Sequence, residues 1–390
     1  MNMNTILRRA FSFCLVLCLL AGCGGVSAFA AEDRNSPVEV KASSQNSSAA
    51  YGSVRAAISD ALGQTSALSV TAEAGKSAEV EAASVEADGE FPTALFVCSG
   101  DAGSLSSVRV AGGVSASGED SAIGVAVSTF DGGVAAVQVG GSVSAVSDEY
   151  SIGLHTSSFN GGTIRIDAAG DVAASGSNQA RGIVLAAPTV GSETVTVNGN
   201  VSSRSSADAA AAEITLGDSS GGTVLLRVKG DLNCNSDAFL IRSDSAQPSA
   251  TVVVEGTIRG EEVGVRVTDQ DKLQNVRLVA WKIVRNRSGN VAETTGYTPA
   301  GELQKSVNYI VRTSAPVGAK LRIAGVSYQE DLGLYTAREG DEITLYVDLE
   351  AGMKLAGVYN GEKALEQTAD GGFQLKVPRG GGIDLRVELG

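Results

Sequence analysis

The side chains that could do chemistry are few and scattered. Among 390 residues there is one histidine, His155, and five cysteines, Cys14, Cys18, Cys23, Cys98 and Cys234. One imidazole leaves most His-based catalysis and most zinc sites without ligands. His155 follows Leu154 near the end of an apolar run, with no second His or nucleophilic Cys beside it, and reads as a surface or turn residue. Phosphate-binding loops, dinucleotide fingerprints and Cys-x-x-Cys are all missing from the sequence. Carboxylates do cluster. Glu119-Asp120 and Asp148-Glu149 lie 29 residues apart, a spacing that would place four carboxylates on one edge of a repeat. They could bind Ca²⁺, or form a solvated loop whose charges splay. Phe130 and Phe159 share the same spacing. They would make an exposed aromatic ladder for glycan contact or a small core at a corner. Trp281 is a sugar platform or a terminal cap, with the cap favoured. No catalytic, cofactor-binding or metal-binding residue is assigned.

Overall charge narrows the partners. Lys and Arg number 30 against 44 Asp and Glu, a net charge of −14. Phosphate contacts need clustered Lys and Arg, so nucleic acid is not an expected partner. Residues 1–30 read as a signal peptide, with Arg8 and Arg9 ahead of an apolar stretch from Phe11 to Leu20 that is too short to span a bilayer. Leu20-Ala21-Gly22-Cys23 resembles a bacterial lipobox, which makes Cys23 the lipidation site. The alternative is cleavage after Ala28-Phe29-Ala30 and secretion. Either route exports the chain. In the first, its contact with the membrane is an N-terminal lipid alone. Residues 31–50 are polar and Ser/Asn-rich and read as a flexible linker.

The elements that would position these groups come from a repeat. From Tyr51 onward the pattern apolar-x-apolar-x-Gly-x-apolar recurs, as in Val137, Val139, Gly141 and Val143. Its last apolar residue falls at Val54, Val85, Val114, Val143, Val172, Val201, Leu232, Ile258 and Ile283. The intervals are 31, 29, 29, 29, 29, 31, 26 and 25. Such a period marks a repeat architecture in which each unit needs its neighbours to bury a core. A second strand is expected about 18 residues before each anchor, with Phe96 and Cys98 aligned to Val125 and Val127, to Leu154, and to Ile183 and Leu185. Gly-rich turns such as Asp131-Gly132-Gly133 and Asn160-Gly161-Gly162 would join the two. The expected fold is all-β: a parallel β-helix, or solenoid, of ~29-residue coils over 51–285, about 40 Å long at ~4.8 Å per coil. Cys98 and Cys234 would lie four coils apart, as two separate buried thiols out of disulfide reach. Between Gly and anchor run Gly113, Ser142, Asp171, Asn200, Asp231 and Thr257, with no carboxylate directly above another, as in-register stacking requires.

Residues 286–316 read as a connector with one short strand, Val307 to Val311. Beyond it, over 317–390, the strands lengthen and their faces become charged, which gives a small β-rich module. Here Glu339-Gly340-Asp341-x-Ile343-x-Leu345-x-Val347, Ala351-Gly352-Met353-x-Leu355, Phe373-x-Leu375-x-Val377 and Ile383-x-Leu385-x-Val387-x-Leu389 resemble the internalin-type B-repeat and related bacterial surface modules. In place of the aromatic that often follows Gly-x-x-Leu in those modules stands Val358-Tyr359. The resemblance implies a spacer or adhesive unit. Together these readings predict an exported cell-surface structural or adhesive solenoid with no active site, its partner a surface glycan or protein. The alternative is a carbohydrate-binding or polysaccharide-degrading β-helix. The latter would need a groove that breaks the repeat, with clustered carboxylates and an Arg, and no such break is visible over 85–201.

Overall fold

The computed structural model describes residues 32–58, 66–187, 190–216, 222–243, 249–267, 276–284, 292–294 and 306–390. Of these, Asp33–Gly390 form one compact unit. All of its described elements are strands. The signal peptide, lipobox and Cys23 lie outside the described residues.

One coil shows how the sequence makes the fold. Ser121–Thr129 is a strand of alternating burial. It ends at a turn in which Asp131 (φ 47°) and Gly132 (φ 82°) take the left-handed conformation that small and Asx residues tolerate. Val134–Val139 follows, then the corner Gly140-Gly141-Ser142, then Val143–Ser147, and the next coil starts at Tyr150. Equivalent strands pair in parallel from coil to coil, which creates three ladders. The first has ten strands, from Val38–Ala42 to Ala292–Thr294. The second contains Val134–Val139 and Gly162–Ala168, and the third contains Val143–Ser147 and Val172–Ser175.

The ~29-residue coil is therefore present, and all nine anchors stack in one column. Val54 pairs with Val85, Val85 with Val114, and the series runs through Val143, Val172, Val201, Leu232 and Ile258 to Ile283. None of the nine is more than 1% exposed. Burying each such side chain contributes on the order of 1.5–3 kcal/mol, and most of that gain exists only because the next coil is there.

Three readings need correction. From Leu105 to Cys234 the coil has three strands, not two, because the Gly of the repeat lies at a corner rather than inside a strand; in the end coils Ser47–Ile58, Ser77–Gly89 and Ser249–Gly260 run unbroken through that position, as expected. At that corner a Cβ on Gly170 would lie 2.7 Å from the Gly141 backbone, and one on Gly141 would lie 2.8 Å from Gly112. Only glycine lets successive corners stack this closely. Second, Leu95 rather than Phe96 pairs with Val125, because the turn that follows, from Ser99 to Leu105, is one residue longer than its equivalent from Thr129 to Val134. A slip of one residue exchanges the two faces of a strand. Hence Leu95 and Val97 are buried, while Phe96 and Cys98 are only half-buried. Third, the flexible linker expected over 31–50 gives way to structure at Val38. Val38–Ala42 pairs with Ser66–Ala72 and Ser47–Ile58 with Ser77–Gly89, so these residues form the first coil. A terminal coil needs only one apolar face, which Val40 and Ala42 supply.

The last coil carries the C-terminal module. Asn308–Ser314 pairs in parallel with both Val276–Ile283 and Ile383–Leu389. Ile383–Leu389 also pairs antiparallel with Leu355–Asn360. A separate antiparallel sheet joins Ala319–Ala324, Glu342–Leu349 and Phe373–Lys376. The Ile283 N–H donates to Gly380 O and the Gly382 N–H to Trp281 O, both at 2.8 Å. Trp281 is the joint: its indole N–H donates to Ile383 O at 3.0 Å, and the Arg312 guanidinium lies 3.9 Å above its ring. The module thereby covers an edge that would otherwise offer unpaired backbone groups.

Candidate functional site

Outward-facing residues of the third ladder form an open groove of about 530 Å³. Its strands are short, three to five residues, because a corner bounds each end. Inward Val143, Val172, Val201 and Leu232 fix the rungs, so the alternate residues must face out. One outward column runs Ser144, Ala173, Ser202, Asn233, Arg259. Beside it lie Val146, Ser175 and Arg204, with Glu261 at the far end. Arg204 and Arg259 are both exposed.

These two guanidiniums differ from most arginines of the solenoid. Arg55 pairs with Glu86, Arg165 with Asp167, Arg227 with Glu255, and Arg266 with Asp237. Arg181, only 2% exposed, lies between Asp208 and Glu213 at 2.6 Å each, and Glu213 also holds Arg242 at 2.7 Å. Among the described residues Arg204 and Arg259 have no acidic partner.

The residues singled out by spacing do stack, though not as a site. The Asp148 N–H donates to Glu119 O at 3.0 Å and the Tyr150 N–H to Asp120 O at 2.9 Å, so the two carboxylate pairs occupy successive rungs of one corner. Their side chains point to solvent, and among the described residues no group of three or more His, Cys, Asp or Glu could hold a metal ion. Phe130 and Phe159 stack with centroids 5.2 Å apart and planes 4° from parallel. Each ring gives one face to the other. Tyr150 is exposed at the acidic corner, away from this pair. His155 is neither in a turn nor free on the surface. It sits mid-strand between Ala126 and Val184, half-buried, and burial lowers its pKa.

Cys98 and Cys234 are free and lie on different ladders. Cys98 is half-buried, and burial raises its thiol pKa, with Glu73 adding to the effect. Cys234 is buried, and burial raises its pKa against hydrogen bonds from Ser203 and Ser236.

Two features escaped sequence reasoning. Arg181 sits one residue before Gly182, where the alternation changes phase, since Ala180 and Ile183 are both fully buried, so alternation alone misplaces it. Glu193 occupies an inward position in a column of Ala135, Ile164, Val224 and Ala250, and is 1% exposed. Its carboxylate accepts from Thr156 Oγ1 at 2.6 Å and from the Ser158 N–H at 2.8 Å. Burial pushes its pKa up to about 7, even though these bonds pull the other way. Its place in the Ser-Glu-Thr-Val-Thr-Val run gave a signal, since Glu193 stands two residues before the inward Val195.

Comparison of the chain with protein-family models, curated proteins and solved structures gives no match.

Proposed function

We propose that this is an exported bacterial cell-surface protein, anchored by a lipid on Cys23, whose solenoid serves as a structural or adhesive scaffold without an active site. The observation that supports this best is the unbroken inward column from Val54 to Ile283. Coils stacked this regularly present the same backbone rung after rung, which suits display of a repetitive surface. The C-terminal module, resembling the internalin-type B-repeat, would be the spacer or adhesive unit at the other end. Its strands from Glu342–Leu349 and Phe373–Lys376 carry the quoted motif residues Ile343, Leu345 and Phe373 in the buried face.

Metabolic labelling with a clickable fatty acid, followed by fractionation, tests the anchor. Label and membrane association are expected for the native chain. Cys23→Ser should abolish both and release the protein to the medium. Unlabelled native protein in the medium would favour cleavage after Ala30, and cytoplasmic retention would refute export altogether. A carbohydrate-binding role is the second reading, favoured by the hydroxyl, amide and guanidinium groups of Ser144, Ser202, Asn233, Arg204 and Arg259 along the groove on the third ladder. Release of reducing sugar from polysaccharide by the purified chain would instead establish the enzymatic alternative.

A further inference from the structure

We infer that the groove on the third ladder is a binding site for an extended carboxylated polysaccharide, with Arg204 and Arg259 as its two anion contacts.

The argument starts from unspent hydrogen-bonding capacity. Ser144, Ser175, Ser202 and Asn233 face outward along the groove, and none of these side chains bonds to another part of the described protein. Hydroxyl and amide groups both donate and accept, as sugar hydroxyls do. Arg204 and Arg259 add two exposed guanidiniums without acidic partners, in a chain whose net charge is −14. Guanidinium is the side chain best matched to a carboxylate, through two parallel N–H···O bonds. Arg204 shares a strand with Ser202, and Arg259 lies two rungs further along the Ser202–Asn233 column. That separates the two along the stack by about 10 Å at ~4.8 Å per rung. The contacts therefore mark out a line, suited to a polymer rather than a small anion.

Other polymers fit less well. A peptide gains affinity by adding a strand to an open sheet edge, by laying an apolar helix into a groove, or by docking a proline-rich segment on aromatics. Here the groove crosses the faces of strands whose backbone groups are already paired to both neighbours, and its lining has no aromatic residue. A nucleic acid would call for stacking platforms and a denser basic track. Glu261 lies on the same rung as Arg259, two residues along the chain, and borders the groove on that side.

This inference deepens the adhesive reading, but binding in solution can be measured independently of export or anchoring. The purified full chain would be titrated with polygalacturonate by calorimetry, with dextran as a neutral polymer and poly-L-glutamate as an anionic peptide. Saturable binding to polygalacturonate is expected, with neither control matching it. Because the contacts are exposed ion pairs, affinity should fall as salt rises. Replacing both arginines, Arg204→Ser with Arg259→Ser, should weaken binding roughly tenfold or more without moving the unfolding midpoint. Arg165→Ser, which removes an arginine already paired with Asp167, should leave binding unchanged. Arg204→Lys with Arg259→Lys keeps the charge but loses the fork, and should fall between. Equal binding to dextran, equal or tighter binding to poly-L-glutamate, or an unaffected double Ser variant would each overturn the proposal. Absence of polygalacturonate binding would likewise overturn it, while leaving the cell-surface reading standing.

Discussion

At the scale of single residues, the most consequential side chain is one that faces inward. Glu193 is buried without a counter-charge, and two hydrogen bonds only partly replace its hydration. In the folded chain its pKa is about 7, against an ordinary value of 4.5. Between those two values the folded protein holds a proton that the unfolded chain has released. Stability therefore falls as pH rises through that window and levels off above it, a total of about 3 kcal/mol from this group. Glu193→Gln keeps an acceptor and a donor for Thr156 and Ser158 but cannot ionise. Urea unfolding at pH 5 and pH 8 should show the native chain losing stability at the higher pH by more than the Gln variant does. Equal losses in the two would mean that Glu193 does not carry the effect. Alternation in the Ser-Glu-Thr-Val-Thr-Val run locates Glu193 on the inward face once the strand is known, yet a charged residue there runs against the usual rule that carboxylates stay outside. Arg181 was harder to see, because the change of phase at Gly182 is a backbone event with no side chain to announce it.

At the scale of elements, the corner between the second and third ladders shows how much of the fold was legible and why some was not. The 29-residue spacing placed all nine anchors correctly, because each coil repeats the same inward position. It missed the corner itself. Val137, Val139 and Val143 all face inward on either side of Gly141, so the two-residue alternation passes through the bend without a phase break and imitates a single strand. Asp171, Asn200 and Asp231 then do more at this corner than avoid like-charge contacts. The Asn200 N–H donates to Asp171 Oδ1 at 2.7 Å, the Asp231 N–H to Asn200 Oδ1 at 2.9 Å, and the Thr257 N–H to Asp231 Oδ1 at 2.6 Å. Each side chain satisfies a backbone donor of the next coil. Asn200→Asp would preserve the acceptor but line up three carboxylates at ~4.8 Å intervals. The expected result is a loss of about 1 kcal/mol in low salt that shrinks in high salt. A salt-independent loss would point instead to damaged geometry. The acidic row at Glu119 and Asp148 tolerates its own stacking because it is exposed, which is also why its spacing signalled a site that the fold does not assemble.

At the scale of the whole Asp33–Gly390 unit, stability depends on how the stack ends. The C-terminal module continues the second ladder and is held at Trp281 by the indole bond to Ile383 and by Arg312 over the ring. Trp281→Ala should remove both and cost about 2 kcal/mol. It should also raise light scattering on heating, as the last strands become free to pair with other chains. Unchanged scattering would show that the strand pairing alone seals this end. The sequence marked the module by its composition but could not reveal that one strand of the connector, Asn308–Ser314, belongs to both bodies. The constant register has an evolutionary corollary. Since Val143 and Val172 stand in equivalent places, excising residues 144–172 would splice Val143 onto Ala173 and leave two matching halves. The protein can thus grow or shrink by whole turns, while an indel of any other size inside a turn must be absorbed in a loop or throw the ladders out of step.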